Sequence, residues 1–499
     1  MLLFDHRPVL LSRLCRFLAP HAALAAVLWV TMCAMSSNAA YSQSVVDTTL
    51  TLDRDSVVVV EQWTLLVPEN RSDSSSREIP ITFLRLPSRA ASPSAPIVYL
   101  AGGPGGSGIA AARGPRWDLF DRLRARSDVI LLDQRGTGRS DSVPGCDPRI
   151  GIPPDSATTR EHMTRLYREA MKVCLAYWED QEVDIRGYTT AESAMDVEAV
   201  RQAIGAEHVH LLGISYGTHL ALATAKSFPG SVGRMVLASP EGLGQTVKRP
   251  VFHERFLGRF QSAIDRDSTA REVYPDIRQM MRSVLDSIEA DPPRLEVQQR
   301  NGGSFVRTLG RFEAQLMTGY MMGDPGNARY MLDVYRRAEN GDYSGFARLL
   351  QYSARPNVLL SGMAEAMDLA SGVSEERREA VQAEARTAIV GDALNFPMPH
   401  LVGAIPGIDL GPAFRYRLAS SHPTLILSGT LDGRTFPEAH AEVAATLDQC
   451  AVLTIVNAGH NLFFAHSEVV PRTAAFLDGG PVQSDTLIAP SPSFLIEDD

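Results

Sequence analysis

Five residues, Gly213-Ile214-Ser215-Tyr216-Gly217, follow directly on the apolar run His208-Val209-His210-Leu211-Leu212. A buried strand that ends in this pentapeptide must turn sharply into a helix, here Thr218-His219-Leu220-Ala221-Leu222-Ala223. Glycines two before and two after the serine leave room for that turn, and the serine at its apex takes a strained backbone conformation. The turn exposes one hydroxyl beside a helix N-terminus, whose amides point at negative charge. Glycine and serine are common, so the five letters gain meaning only from the strand–turn–helix context.

The rest of the chain supplies that context. Residues 56–66 and 78–86 read as two early antiparallel strands separated by a polar turn. The pattern then becomes βα alternation. Pro96-Ile97-Val98-Tyr99-Leu100 ends in Gly102-Gly103-Pro104-Gly105-Gly106, and Asp128-Val129-Ile130-Leu131-Leu132 ends in Asp133-Gln134-Arg135-Gly136-Thr137-Gly138. A helix over 189–204 precedes the serine strand, and Met235-Val236-Leu237-Ala238 follows it. Strand signals stop after residue 240, and residues 245–418 are mostly helical in pattern. Strands resume at Thr424-Leu425-Ile426-Leu427-Ser428 and Val452-Leu453-Thr454-Ile455-Val456, a helix over 468–477 follows, and 480–499 is a Pro- and Ser-rich loose tail. The expected architecture is α/β: a mostly parallel sheet flanked by helices, with core segments at 45–244 and 419–479 and a helical insertion between them. The glycine-rich and acidic breaks all fall at the carboxyl ends of strands, where ligand sites form.

A serine hydroxyl is a poor nucleophile at neutral pH and needs a base. Among the twelve histidines, His460 stands on the loop after the last strand, in Asn457-Ala458-Gly459-His460-Asn461. His440 and His466 read as helical or flanking, His219 packs beside the serine turn, and His208 and His210 belong to the strand itself. The base needs a carboxylate to hold its tautomer. Asp432, after the penultimate strand, gives the chain order Ser215…Asp432…His460. Asp133 reads instead as a structural turn residue braced by Arg135. A developing oxyanion needs two amide donors, and those of Tyr216 and Gly103 are placed to supply them. The glycine loop carries neither G-x-G-x-x-G nor a G-K-[ST] ending, so it is not read as a phosphate cradle.

Together Gly102-Gly103-Pro104-Gly105-Gly106-Ser107, Asp133-Gln134-Arg135-Gly136-Thr137-Gly138-Arg139-Ser140, Gly213-Ile214-Ser215-Tyr216-Gly217, Ser428-Gly429-Thr430-Leu431-Asp432 and Gly459-His460 resemble the α/β-hydrolase fold serine peptidases that include prolyl iminopeptidases and secreted tripeptidyl aminopeptidases. The resemblance covers about 95–240 and 420–478. It implies an α/β-hydrolase fold with a helical cap, and an aminopeptidase that releases amino-terminal proline or short peptides through an acyl-enzyme. The stretch from Tyr188-Thr189-Thr190 to Asp196, and the spacing of Cys146 and Cys174, resemble the secreted branch. Two features depart from the pattern: Ala101 stands where the family's loop often begins with histidine, and the insertion has no tryptophan, since Trp63, Trp117 and Trp178 lie outside it. In the iminopeptidases, cap glutamates hold the substrate's ammonium. Glu241, Glu254, Glu313 and Glu365 are the candidates here, with Glu241 first because it begins the insertion at a strand end.

The same triad also suits an ester, lactone or other small acyl compound, because fold does not fix substrate. A non-catalytic binding protein on a hydrolase scaffold is a further alternative. A net charge of −10 with 21 % charged residues excludes the basic surface that nucleic acid requires. No His, Cys and carboxylate cluster has metal-ligand spacing, so neither metal nor organic cofactor is expected.

Residues 1–40 read as a secretory signal: Arg7, Arg13 and Arg16, then an apolar stretch from Phe17 to Met35, then small residues at Ser36, Ser37, Ala39 and Ala40. An uncleaved anchor is the alternative reading. A periplasmic or extracellular protein with no stable membrane insertion after cleavage is expected, acting on peptides or small acyl compounds. Beyond the signal stand Cys146, Cys174 and Cys450. In an oxidising compartment Cys146 and Cys174 could pair, the alternative being three separate thiols.

Overall fold

The computed structural model describes residues 41–52, 57–299, 302–353, 356–416 and 420–496. The expected signal, residues 1–40, lies outside them. The strands in chain order are β1 (Gln43–Thr51), β2 (Val57–Pro68), β3 (Glu78–Leu86), β4 (Ser94–Leu100), β5 (Ser127–Leu132), β6 (Val209–Ile214), β7 (Val232–Ala238), β8 (Arg294–Gln298), β9 (Ser304–Thr308), β10 (Thr424–Gly429), β11 (Cys450–Val456) and β12 (Asp485–Ile488). Ten of them form one sheet in the order β1-β2-β3-β5-β4-β6-β7-β10-β11-β12. The first three run antiparallel to their neighbours, and the pairs from β5 to β12 are parallel.

The burial patterns explain this division. Every residue of β5, β6 and β10 is buried, as expected of parallel strands covered by helices on both faces. On one face Tyr99, Leu131, Leu212, Val236 and Leu427 join a single apolar cluster. The covering helices start where capping residues stand. Thr159 accepts from the His162 amide ahead of helix Arg160–Asp180, and Thr189 accepts from the Glu192 amide ahead of helix Thr190–Ala203. Each such cap contributes about 1 kcal/mol and satisfies an amide that the helix cannot.

β7 and β10 are direct neighbours, Met235 opposite Thr424 and Ala238 opposite Leu427. The chain between them, residues 239–423, is therefore an excursion from the carboxyl edge of the sheet. Its helices enclose a second core built on Phe252, Phe256, Phe260, Tyr335 and Phe346.

Three features differ from the sequence expectation. The insertion contains a hairpin, β8–β9, because Arg-Leu-Glu-Val-Gln alternates with period two and is followed closely by Gly302 and Gly303. The helical layer also takes in a segment assigned to the core. Met163, Leu166 and Trp178 of helix Arg160–Asp180 pack with Leu360, Met363 and Phe396, and Cys146 bridges to Leu360. Finally, 480–499 is no loose tail over its described part. β12 pairs in parallel with β11, and Phe494 packs edge-on against Phe260 in the insertion's core. A single buried phenylalanine outweighs the Pro and Ser signals around it, since its burial is worth about 1.5–3 kcal/mol.

Candidate active site

Ser215 sits between β6 and helix Tyr216–Ser227 at φ 54° and ψ −124°. Holding a non-glycine residue there costs about 1–3 kcal/mol, so the surroundings must over-determine it. Its amide donates to the Ala238 carbonyl of the neighbouring strand (3.0 Å), and its carbonyl accepts from the Thr218 amide (2.8 Å) and hydroxyl (2.6 Å). The flanking glycines are required by contact. A Cβ on Gly217 would lie 2.0 Å from the Leu100 carbonyl oxygen, and one on Gly213 would lie 2.5 Å from that of Gly217. Among the described residues, neither the Tyr216 amide nor the Gly103 amide has a protein acceptor.

Gly103 follows β4 at φ 130°, and its neighbour Gly102 is pressed against the serine turn. Asp133 holds this loop from below. Its Oδ1 accepts from the Ser107 hydroxyl (2.6 Å) and the Ile109 amide (3.0 Å), and its Oδ2 accepts from the Arg139 amide (2.7 Å). Arg135 anchors this turn through partners distant in sequence, and among the described residues none of its bonds goes to Asp133. Arg135 is buried and donates to both oxygens of Asp196 (2.7 Å each) and to the carbonyls of Glu69 and Gly187. The stretch from Tyr188 to Asp196 is thus tied to this buried arginine through Glu192 and Asp196, while its Thr190 hydroxyl lies 3.0 Å from that of Tyr216.

Asp432 and His460 come from the loops after β10 and β11. The Asp432 carboxylate is fully buried and meets four donors. Oδ1 accepts from the Arg434 (2.8 Å) and Thr435 (2.9 Å) amides, and Oδ2 accepts from the Thr435 hydroxyl (3.0 Å) and lies 3.0 Å from His460 Nδ1. Burial alone would raise its pKa, but the His460 imidazole, His440 and these donors hold the carboxyl well below its usual range. Ser215, His460 and Gly103 wall one cavity of about 470 Å³, with Tyr320, Asp324 and Arg434 on its other side. Among the described residues no hydrogen bond joins Ser215 to His460. Such catalytic bonds commonly tighten only in the substrate complex.

The other histidines fall elsewhere. His219 is buried beside the turn, its Nε2 3.0 Å from the Ser371 hydroxyl and its Nδ1 3.2 Å from the Gly242 carbonyl. His210 accepts from the Arg234 amide, and His466 from the Glu468 amide. His440 lies on helix Pro437–Ala444, as its helical reading expects, but it also reaches the site. It stands behind Asp432, 3.7 Å from Oδ2.

The insertion's carboxylates redistribute the expected roles. Glu241 is buried and accepts from Lys248 Nζ at 2.6 Å, and it walls none of the cavities around Ser215. Lys248 and His219 outweigh burial and hold its carboxyl below its usual range. Glu254 accepts from the Ile389 amide, Glu313 pairs with Arg307, and Glu365 caps helix Met363–Ser371 through the Ser361 hydroxyl and the Gly362 amide. A second cavity of about 320 Å³ shares Gly103, Tyr320 and Arg434 with the first and is lined also by Lys248, Glu365 and Asp368. The Asp368 carboxylate has no hydrogen bond or ion pair among the described residues, although the residue's backbone carbonyl accepts from the Gly372 amide. Burial pushes its carboxyl up to about 7; Glu241 and Glu365 add to the rise, and Lys248 and Arg434 oppose it. Sequence reasoning missed this residue because it sits inside an ordinary apolar helix, Met-Ala-Glu-Ala-Met-Asp-Leu-Ala-Ser. An acid amid apolar neighbours was the one available signal.

Cys146 and Cys174 form a disulfide within the cluster around Trp178, and Cys450 is free. Among the described residues no group of three His, Cys, Asp or Glu side chains is arranged to hold a metal ion, and no helix is long and apolar enough to cross a membrane.

Comparison with known proteins follows the geometry. The family described as alpha/beta hydrolase fold matches residues 95–467. Tripeptidyl aminopeptidase of Streptomyces coelicolor is 30 % identical over 152 residues, 29 % of this chain and 28 % of that protein. Serine protease Hip1 of Mycobacterium tuberculosis is 31 % identical over 147 residues, 28 % of each chain. A probable proline iminopeptidase of Streptomyces coelicolor is 30 % identical over 174 residues, 32 % of this chain and 41 % of the relative. The aligned stretches thus span less than half the length of these relatives.

Proposed function

The chain belongs to the alpha/beta hydrolase fold family, and from that premise we propose that it is an exported serine hydrolase that cleaves peptides from their free amino end. The observation that carries the hydrolytic part is the common cavity. A strained serine, a histidine paired with a buried aspartate, and the glycine loop that carries the Gly103 amide border the same space, and the Tyr216 amide follows the serine directly. In this reading His460 Nε2 takes the Ser215 proton as Oγ attacks the scissile carbonyl. Asp432 stabilises the imidazolium, and the amides of Tyr216 and Gly103 stabilise the oxyanion, each worth about 2.7–4 kcal/mol. His460 then gives its proton to the departing amine. Water, deprotonated by the same imidazole, attacks the acyl-enzyme and releases the acid, and Ser215 regains its proton.

Asp368 supports the preference for a free amino end. An unpartnered carboxylate on the wall next to the oxyanion loop suits a cationic amine, and it replaces Glu241 in that role. The names of the peptidase relatives agree with this reading. Export is supported by the disulfide, which persists in oxidising compartments.

The test is Ser215→Ala on purified mature protein, with fluorophosphonate labelling and a panel of amino-terminal-proline amides, tripeptide anilides, their N-acetylated forms and short esters. Wild type is expected to be labelled and to cleave the free peptides, while the variant does neither. Labelling without peptide cleavage, but with ester turnover, would move the protein to the small-acyl hydrolases. No labelling would remove the hydrolase reading.

A further inference from the structure

We propose that His440 is a positioning residue of this site: it fixes the direction of the Thr435 hydroxyl proton and thereby the charge that Asp432 presents to His460. The proposal rests on the hydrolase reading only for its consequence in turnover; the geometry stands without it.

The geometry leaves one arrangement of protons. The Thr435 hydroxyl is 3.0 Å from Asp432 Oδ2, 2.9 Å from His440 Nε2, 3.2 Å from the Ser239 carbonyl and 3.5 Å from His460 Nδ1. It has a single proton. If that proton pointed at His440, two oxygens would face each other at 3.0 Å with nothing between them, one of them a buried carboxylate. The proton therefore goes to Asp432, and His440 Nε2 carries the hydrogen donated to Thr435. The other ring nitrogen, Nδ1, then accepts from the Ser428 hydroxyl at 2.8 Å. Ser428, His440 and Thr435 form one directed chain of donors that ends on the Asp432 carboxylate, which His460 Nδ1 meets from the other side.

His440 is suited to this task because it stays neutral. It lies on helix Pro437–Ala444, is buried, and its pKa is lowered to about 4; burial is the main cause, with His460 and Arg259 adding and Asp432 opposing. The charged groups around the pair are few. Arg259, from helix Pro250–Ile264, pairs with Glu438 beside His440. Arg434, Arg116 and Asp324 share the cavity wall with His460. A glutamine amide could replace the Nε2 donor, whereas an apolar side chain could not. Without that donor, the Thr435 oxygen is no longer polarised by the hydrogen it accepts, its bond to Asp432 weakens, and Oδ2 concentrates more of its charge on His460.

The experiment follows the His460 titration by the downfield proton signal of its ring Nδ1–H, alongside the pH dependence of fluorophosphonate labelling. His440→Leu is expected to raise the His460 midpoint by about half a pH unit or more, because a carboxylate stripped of one donor favours the imidazolium. His440→Gln should stay within about 0.2 unit of wild type. Thr435→Val should shift the midpoint in the same direction, and the Leu/Val double variant no further than Thr435→Val alone. A His440→Leu midpoint equal to wild type, or additive shifts in the double variant, would overturn the proposal. If leucine prevents folding, His440→Asn, too short to reach Thr435, takes its place against glutamine. Absence of labelling in wild type would count against the hydrolase reading, while the titration still decides the role of His440.

Discussion

Asp432 Oδ2 lies 3.0 Å from His460 Nδ1, and the carboxylate has no exposed surface while the imidazole borders an open cavity. The pair brings a buried negative charge to the one face of the histidine that substrate does not reach. The opposite ring nitrogen is left for proton transfer.

Replacing Asp432 by Asn keeps the shape but offers an amide where a carboxylate accepted. The His460 ring is then no longer held in the tautomer that can take a proton from Ser215. A loss of about 10⁴ in kcat with little change in KM is expected, as for other triads of this kind. Steady-state kinetics on the folded variant measure it, and a loss under tenfold would exclude Asp432 as the orienting acid.

Asp368→Asn should raise KM for free-amine peptides by about 10–100-fold, the range of a charge-assisted hydrogen bond, and leave N-acetylated substrates unchanged. For wild type the same carboxyl gives a pH dependence. It is ionised above about 7, so KM for a cationic amine should climb as pH falls below that value. The sign for stability is opposite. Because its pKa is raised on folding, the ionised form opposes folding, and stability falls as pH rises from about 4 towards 7. The Asn variant should therefore melt higher than wild type at pH 8, by at least the 1.4 kcal/mol or so that one pKa unit represents. Equal KM values for both enzymes would remove Asp368 from the amino-group site.

Glu241→Ala takes from the partly buried Lys248 the carboxylate it pairs with. Breaking such a pair typically costs about 3–5 kcal/mol. Denaturant melts should show this loss, while the ratio of free to acetylated peptide cleavage stays as in wild type. A collapse of that ratio in a folded variant would return Glu241 to the substrate.

Cys146→Ser with Cys174→Ser opens a covalent loop of sequence separation 28. The chain-entropy argument assigns it about 2–4 kcal/mol. Denaturant midpoints of the double variant and of the reduced wild type should fall together. Unchanged midpoints would show that the surrounding apolar cluster holds the segment without the bond.

Local pattern was enough for much of this molecule. Strands β4, β5, β6, β7 and β10 announced themselves as short apolar runs, because a parallel strand largely buried on both faces has no polar side to disguise it; β11 is as apolar in sequence, although only its alternate residues are buried. The serine turn was legible for a steric reason that acts within five residues: only glycine fits at 213 and 217. Ser215, Asp432 and His460 could each be named from the strand end on which they stand.

Other features depended on partners distant in sequence. The docked segment around Phe494 draws its stability from a surface that no local window contains. Arg135 could not be assigned to Asp196 rather than to the nearby Asp133 without the fold. Neither could Glu241 be matched to Lys248, since charge alone does not tell a paired acid from an open one. Asp368 and His440 looked like ordinary helix residues. The sequence by itself determined which central strands form, where the serine turn lies, and the order of the residues placed around it, because those follow from sterics and hydrophobic period along the chain. Only the tertiary structure decided which carboxylate stays unpaired on the cavity wall and which histidine stands behind the acid, because desolvation and pairing are properties of the assembled interior.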